Sequence, residues 1–238
     1  MNMNTHTEIE VRGIFMKLMT YTRSLELCAR MNYETENLDF IDNIMPGEIL
    51  YDLGACEGRF SIYAAKNGIR VIAFEPEQKN FEVFTQNIRL NEVADKITAI
   101  NAGVGAHQGT AVLNIGQPWA GGHQKVVEHA EVRNDLAFDF VDRQTVNIVS
   151  LDEVIEKTGQ PFPQYLKIDI DGSEMPFLNG AARTLQNKDL KGIIFELSEK
   201  DPHFGAILAT FIDYGFVEDA RYDVPNEPGL FNIIFSKR

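Results

Sequence analysis

The run Ile49-Leu50-Tyr51-Asp52-Leu53-Gly54-Ala55-Cys56-Glu57-Gly58, with Ile69-Arg70-Val71-Ile72-Ala73-Phe74-Glu75-Pro76 after it, constrains this chain more than any other feature. The first run reads as an apolar strand, a tight glycine turn and a helix through Arg59 to Lys66. The second is another buried strand, and it ends on an acid. Strand, glycine loop, helix, strand, acid is the half-unit with which parallel α/β sheets hold a nucleoside at the carboxyl ends of their strands.

The loop itself narrows the choice of nucleoside. Dinucleotide folds use G-x-G-x-x-G to bring backbone amides against a pyrophosphate at a helix N-terminus. Here Gly54 and Gly58 are spaced G-x-x-x-G, and Asp52 and Glu57 would repel a pyrophosphate. Acids at this point suit a cofactor with an ammonium and a sulfonium charge. S-adenosylmethionine carries both, and its ribose hydroxyls suit a carboxylate such as Glu75. In the plainer reading, Gly54 and Gly58 only turn the chain and Asp52 caps the helix. Cys56 is a small side chain that fits beside a ligand in the turn.

The 238 residues fit one large fold or one fold with an appended segment, and 44% hydrophobic with 24% charged residues is the balance of an ordinary soluble protein. A formal net charge of -13 with no Lys/Arg cluster argues against nucleic acid as a partner. No apolar run is long enough to span a bilayer, and Met1 to Glu10 lacks a signal-peptide core, so no membrane partner is expected. Cys28 and Cys56 match neither metal-ligand spacing nor a disulfide framework, which makes a reducing cytoplasm the expected compartment.

Residues 1–46 read as an N-terminal cap, with Val11 to Tyr21 extended or paired and a helix from Tyr33 to Ile44. Residues 47–238 read as the main domain. Glu77 to Asn91 is an amphipathic helix, Ile97 to Asn101 a third strand, and Gly103 to Ile115 a strand or hairpin extension. In this sheet type Asn101 and Ala102 would lie beside an adenine. Periodicity fades from Gly116 to Val146, where Trp119, Gly121, Gly122, His123 and His129 occur; this stretch is expected to be a substrate lid. Val146 to Ser150 is a strand and Leu151 opens a helix that stops at Gly159. Tyr165 to Asp171 is a fourth core strand leading into a helix at Ser173-Glu174, and Gly192 to Glu196 is a fifth. Pro202 to Tyr214 forms a helix capped by Gly215, and Phe216 to Tyr222 with Leu230 to Phe235 closes the chain as an antiparallel hairpin.

In this order the residues resemble the FkbM family of S-adenosylmethionine-dependent methyltransferases. The resemblance is carried by Tyr51 to Gly58, Phe74-Glu75-Pro76, Ser150-Leu151-Asp152-Glu153 and Leu166-Lys167-Ile168-Asp169-Ile170-Asp171-Gly172-Ser173-Glu174, over roughly residues 47 to 198. The last piece is the most specific, and it departs from the family by Asp171 in place of Glu. The resemblance implies an α/β, Rossmann-like seven-stranded class I methyltransferase sheet whose last strand is antiparallel. It also implies methylation of a hydroxyl on a sugar or small natural product.

The expected cofactor contacts are Asp52, Gly54, Ala55, Cys56, Gly58, Glu75, Pro76, Asn101, Ala102 and Asp169. Methyl transfer to a neutral hydroxyl is helped by a base. Asp169 is the first candidate for base or acceptor-orienting group, and His123 is the second, because an unperturbed imidazole in general titrates near the working pH. Clustered carboxylates Asp169, Asp171 and Glu174 could hold a divalent ion, but sequence fixes no ligand geometry and no metal is assigned. Two other functions remain open: a non-catalytic S-adenosylmethionine-binding module, and an NAD-dependent oxidoreductase, the latter disfavoured by the missing middle glycine.

Overall fold

The computed structural model describes residues 5–127 and 139–238. In chain order the elements are β1 (His6–Val11), β2 (Ile14–Met19), α1 (Arg23–Cys28), α2 (Thr35–Asp42), β3 (Ile49–Leu53), α3 (Arg59–Lys66), β4 (Arg70–Phe74), α4 (Gln78–Leu90) and β5 (Ile97–Ile100). There follow β6 (Gly103–Val104), β7 (Gly109–Ile115), β8 (Lys125–Val127), β9 (Asp142–Val149), α5 (Leu151–Thr158) and β10 (Tyr165–Ile168). The chain ends with α6 (Glu174–Gly180), α7 (Ala182–Gln186), β11 (Gly192–Ser198), α8 (Phe204–Asp213), β12 (Phe216–Asp223) and β13 (Leu230–Lys237).

Seven strands form the central sheet in the order β12-β13-β11-β10-β3-β4-β5. Pairing is parallel from β11 through β10, β3, β4 and β5, and β13 enters antiparallel between β11 and β12. The parallel strands bury both faces, so β3, β4 and β11 read as nearly continuous apolar runs rather than alternating ones. One face packs on α3 and α4 through residues such as Leu50, Val71, Ile62 and Phe84, and the other on α5 to α8 through Tyr51, Ile168, Phe177, Phe195 and Phe211. The chain order reverses direction between β3 and β10, and at that switch point the strand ends leave a crevice.

Two expectations are corrected. The stretch after β5 does not extend the central sheet. It forms a second, four-stranded sheet in the order β6-β9-β7-β8. The strand expected from Val146 begins at Asp142, because β9 pairs antiparallel along the whole of β7, from Asp142 opposite Ile115 to Ile148 opposite Gly109. His129, and with it the middle of the expected lid, lies outside the described residues.

The N-terminal hairpin is clamped to α4 by two buried amides. Asn91 accepts the Lys17 N–H at 2.9 Å and donates to its carbonyl at 2.7 Å, and Asn87 accepts the Met19 N–H at 2.9 Å. These side chains give β2 the partners that a further strand would have supplied. Among the described residues, no helix is long and apolar enough to cross a membrane.

Candidate active site

The glycine turn is shaped by what packs on it. Gly54 follows β3 with φ 83°, and a Cβ there would overlap the backbone carbonyl of Asp169, so only glycine satisfies both the conformation and the space. The Gly54 and Ala55 N–H groups both donate to the Phe74 carbonyl, at 3.0 and 2.9 Å. Gly58 begins α3, also at φ 83°, and the Phe84 ring fills the place its side chain would take. Between them Cys56 holds a left-handed backbone, φ 52°. Glu75, the first residue beyond β4, fixes that strain by accepting the Cys56 N–H at 2.8 Å while its other oxygen accepts the Glu77 N–H at 2.8 Å.

Burial pushes the Glu75 carboxyl up to about 7, against the opposing pull of Lys125 and of the N–H groups of Glu77 and Cys56. Lys125 itself is paired with Glu77 at 3.0 Å. Asn80 joins this corner to the loop above, donating to the Cys56 thiol at 3.2 Å and accepting the Gly121 N–H at 2.8 Å.

A second charged group lies under the crevice. Lys167 is a cation inside a buried strand, 3.5 Å from Asp52 and 3.4 Å from Asp169. Burial acts to lower its pKa, but Asp169, Asp52 and Glu34 outweigh that and hold it above its ordinary value. Arg59, also buried, pairs with Glu34 at 2.5 Å and Glu57 at 3.1 Å, and its guanidinium stands 4.5 Å from the ring centres of both Tyr33 and Phe60. Among the described residues, its Nε and the second Glu57 oxygen have no hydrogen-bond partner.

Two cavities meet here. The inner one, about 170 Å³, is bounded by the glycine turn, Glu75-Pro76, Ala102 to Val104, Gly122 to Lys125 and the Lys167 to Asp171 segment. The outer one, about 1010 Å³, lies between α1, residues 117–124 and the turn at 224–227. Glu34, His123, Gln124, Asp171 and Glu196 line both and therefore mark the junction.

Of the residues expected to hold a cofactor, Gly54, Ala55, Cys56, Glu75, Pro76, Ala102 and Asp169 line the inner cavity, as does His123. Three do not line it. Asp52 is buried at 1% exposure beneath the turn, where it accepts the Ser61 hydroxyl at 2.6 Å and faces Lys167. Gly58 faces Phe84, and Asn101 donates its amide to the carbonyls of Glu75 and Pro76, at 2.9 and 3.2 Å. Each supports the wall from behind. The strand expected to reach Asp171 ends at Ile168, so Asp169 lies just beyond it and Asp171 in the turn that follows, and strand alternation does not govern their directions. Among the described residues no group of three or more His, Cys, Asp or Glu is arranged to hold a metal ion.

Sequence reasoning passed over Lys167, Arg59, Glu34 and Glu196. Two of these carry a sequence signal. Lys167 is flanked by Leu166 and Ile168 in a core strand, and a buried lysine demands a carboxylate partner. Glu196 ends the apolar run Ile193-Ile194-Phe195 just as Glu75 ends its own. Arg59 and Glu34 meet only through folding, 25 positions apart in the chain.

The sheet order and the crevice at its switch point are those of Rossmann-like methyltransferases. Solved structures with this fold include precorrin-6y C5,15-methyltransferase from Geobacter metallireducens GS-15, with TM-score 0.51 and 10% identity over 97% of this chain and 95% of that one. Trm5b from Pyrococcus abyssi gives TM-score 0.53 and 17% identity over 99% of this chain and 56% of that one. The methyltransferase FkbM domain matches residues 52–218, and the chain belongs to that family. Among its relatives are methyltransferase sdnD of Sordaria araneosa, 23% identical over 86% of each chain, and 31-O-demethyl-FK506 methyltransferase FkbM of Streptomyces tacrolimicus, 25% identical over 76% of each. Hexuronic acid methyltransferase AglP of Haloferax volcanii is 24% identical over 59% of this chain and 52% of its own.

Proposed function

We propose that the protein transfers a methyl group from S-adenosylmethionine to a hydroxyl of a sugar or small natural product. The observation that carries this reading is the Glu75 carboxyl, set at the end of β4, lining the inner cavity beside the glycine turn. A carboxylate there suits a pair of ribose hydroxyls. Glu34, Asp169 and Asp171 add further acidic groups to the cleft, which favours a cationic donor over a pyrophosphate.

The residues that would hold the cofactor are Gly54, Ala55, Cys56, Glu75, Pro76, Ala102 and Asp169, with Leu113 and Val127 offering an apolar wall. Bound there, S-adenosylmethionine supplies an electrophilic methyl group on a sulfonium. The protein's own contribution is alignment and exclusion of water. Lys167 pairs with Asp169 at 3.4 Å, which suits Asp169 to orienting groups at the cleft, and His123 stands on the wall that the two cavities share. Of the stretch 116–146 read as a lid, Gly122 to Lys125 and Val127 line the inner cavity, where a lid would shield a bound ligand from water. Residues 1–46 act as the cap and 47–238 as the catalytic domain.

The outer cavity has room for a multi-ring acceptor and presents Trp119, Leu27 and Tyr33 beside Arg23 and Arg30, which suits a small molecule, and the formal net charge of -13 disfavours a nucleic acid. Unpaired Cys28 and Cys56 accord with a cytoplasmic setting.

Isotopically labelled S-adenosylmethionine incubated with the protein and a metabolite extract tests the function. A mass shift in one metabolite, with release of S-adenosylhomocysteine, is expected. Binding of NAD without binding of S-adenosylmethionine would overturn it.

A further inference from the structure

We propose that Glu196 is the proton acceptor of the transfer, acting on the hydroxyl of an acceptor seated in the outer cavity. The inference rests on the methyltransferase reading above and assigns a step to a residue not yet given one.

Position is the first argument. In the pairing of β10 with β11, Ile168 lies opposite Phe195, so Glu196 stands level with Asp169 at the carboxyl edge of the sheet. Asp169 lines only the inner cavity, whereas Glu196 lines both. A group that meets donor and acceptor together must sit where the cavities join.

Availability is the second. Asp169 is engaged by Lys167, and Glu34 by Arg59. The Glu196 carboxyl accepts no hydrogen bond among the described residues, although it is only partly exposed. His123 shares the junction, but it is exposed on the loop.

Proton affinity is the third. Burial, then the carboxylates of Asp169, Asp171 and Glu34, raise Glu196 well above the ordinary carboxyl range, and Lys167 opposes them without cancelling the effect. A base is most effective when its proton affinity lies near the working pH. Burial first, and like charges second, are what raise a carboxylate toward that range.

The step balances. The acceptor oxygen forms its bond to the methyl carbon, the electron pair of the carbon–sulfur bond stays on sulfur and neutralises the sulfonium, and the hydroxyl proton passes to the Glu196 carboxylate. One positive and one negative charge disappear together. The protonated carboxyl then returns its proton to solvent through the outer cavity.

The test uses wild-type protein, Glu196→Gln and Glu75→Gln, each with glutamate carbon-13 labelled at the carboxyl. Nuclear magnetic resonance titration needs no acceptor: a resonance titrating well above the ordinary glutamate range should vanish in Glu196→Gln and persist in Glu75→Gln. With a panel of hexoses, glycosides and hydroxylated macrolactones as acceptors, Glu196→Gln should lower kcat at least about 100-fold, with the Kd for S-adenosylmethionine unchanged within about threefold. A Glu196 resonance in the ordinary range, or wild-type turnover by Glu196→Gln, overturns this proposal alone. Failure of the wild type to bind S-adenosylmethionine overturns the methyltransferase reading and this proposal with it.

Discussion

The Glu75 carboxylate accepts the Cys56 N–H at 2.8 Å, so the acid that ends β4 also holds the strained turn that follows β3. One side chain thereby sets both the wall of the cleft and its charge. Glu75→Ala should weaken S-adenosylmethionine binding more than tenfold, about 1.4 kcal/mol, through loss of charged hydrogen bonds to ribose. Isothermal titration calorimetry reads this directly, and unchanged affinity would remove Glu75 from the ribose site.

The same carboxyl makes stability depend on pH. Burial raises it from 4.5 to about 7 on folding, so the folded state binds the proton more tightly than the unfolded state. The stabilisation is fully present below about 4.5 and is lost as pH rises through about 7. Denaturant unfolding between these limits should show this falling contribution, and Glu75→Gln should flatten it. Ligand affinity should move the opposite way, rising over the same interval as the carboxylate becomes charged and able to accept two hydroxyl donors.

Lys167 lies between Asp52 and Asp169, and its removal leaves Asp52 buried without a counter-charge. Lys167→Ala should cost about 3–5 kcal/mol of folding stability. Adding Asp52→Asn should recover a substantial part of that loss, because the stranded charge is then gone. Chemical denaturation of the four-member cycle checks it; strictly additive effects would show that the pair is not coupled.

Asn91 serves both backbone groups of Lys17 from α4. Asn91→Ala should destabilise the protein by about 1–3 kcal/mol, since it leaves a donor and an acceptor unmatched in a half-buried seam. Hydrogen exchange of the Lys17 amide should accelerate before that of the central strands. Equal acceleration throughout would mean that the hairpin has no separate opening.

The local chemistry of the cleft was legible from the sequence where short-range rules suffice. The Gly54 turn, the acid at 75, the helix opening at Leu151 and its stop at Gly159 depend on neighbours a few positions away. So does the hairpin of β12 and β13, whose strands are joined by a short stretch carrying Pro225, Pro228 and Gly229. The two runs that define the half-unit therefore determined the sheet and the carboxyl edge at which the cleft forms.

Long-range pairing decided the rest. The strand β9 begins at Asp142 because β7 is there to receive it, and the polar residues of that stretch give no apolar period to announce it. Asp52 and Asn101 sit in the right stretch of chain, yet one is turned toward Ser61 and Lys167 and the other toward the carbonyls of Glu75 and Pro76, choices made by partners far away in sequence. The meeting of Glu34, Asp171 and Glu196 at one junction joins segments that no local pattern relates. Sequence by itself determined which strands would end at a cleft and that the cleft would be acidic. Only the packed structure decided which carboxylates are tied to a cation and which face the cavities, because that depends on charges brought within a few ångströms by folding.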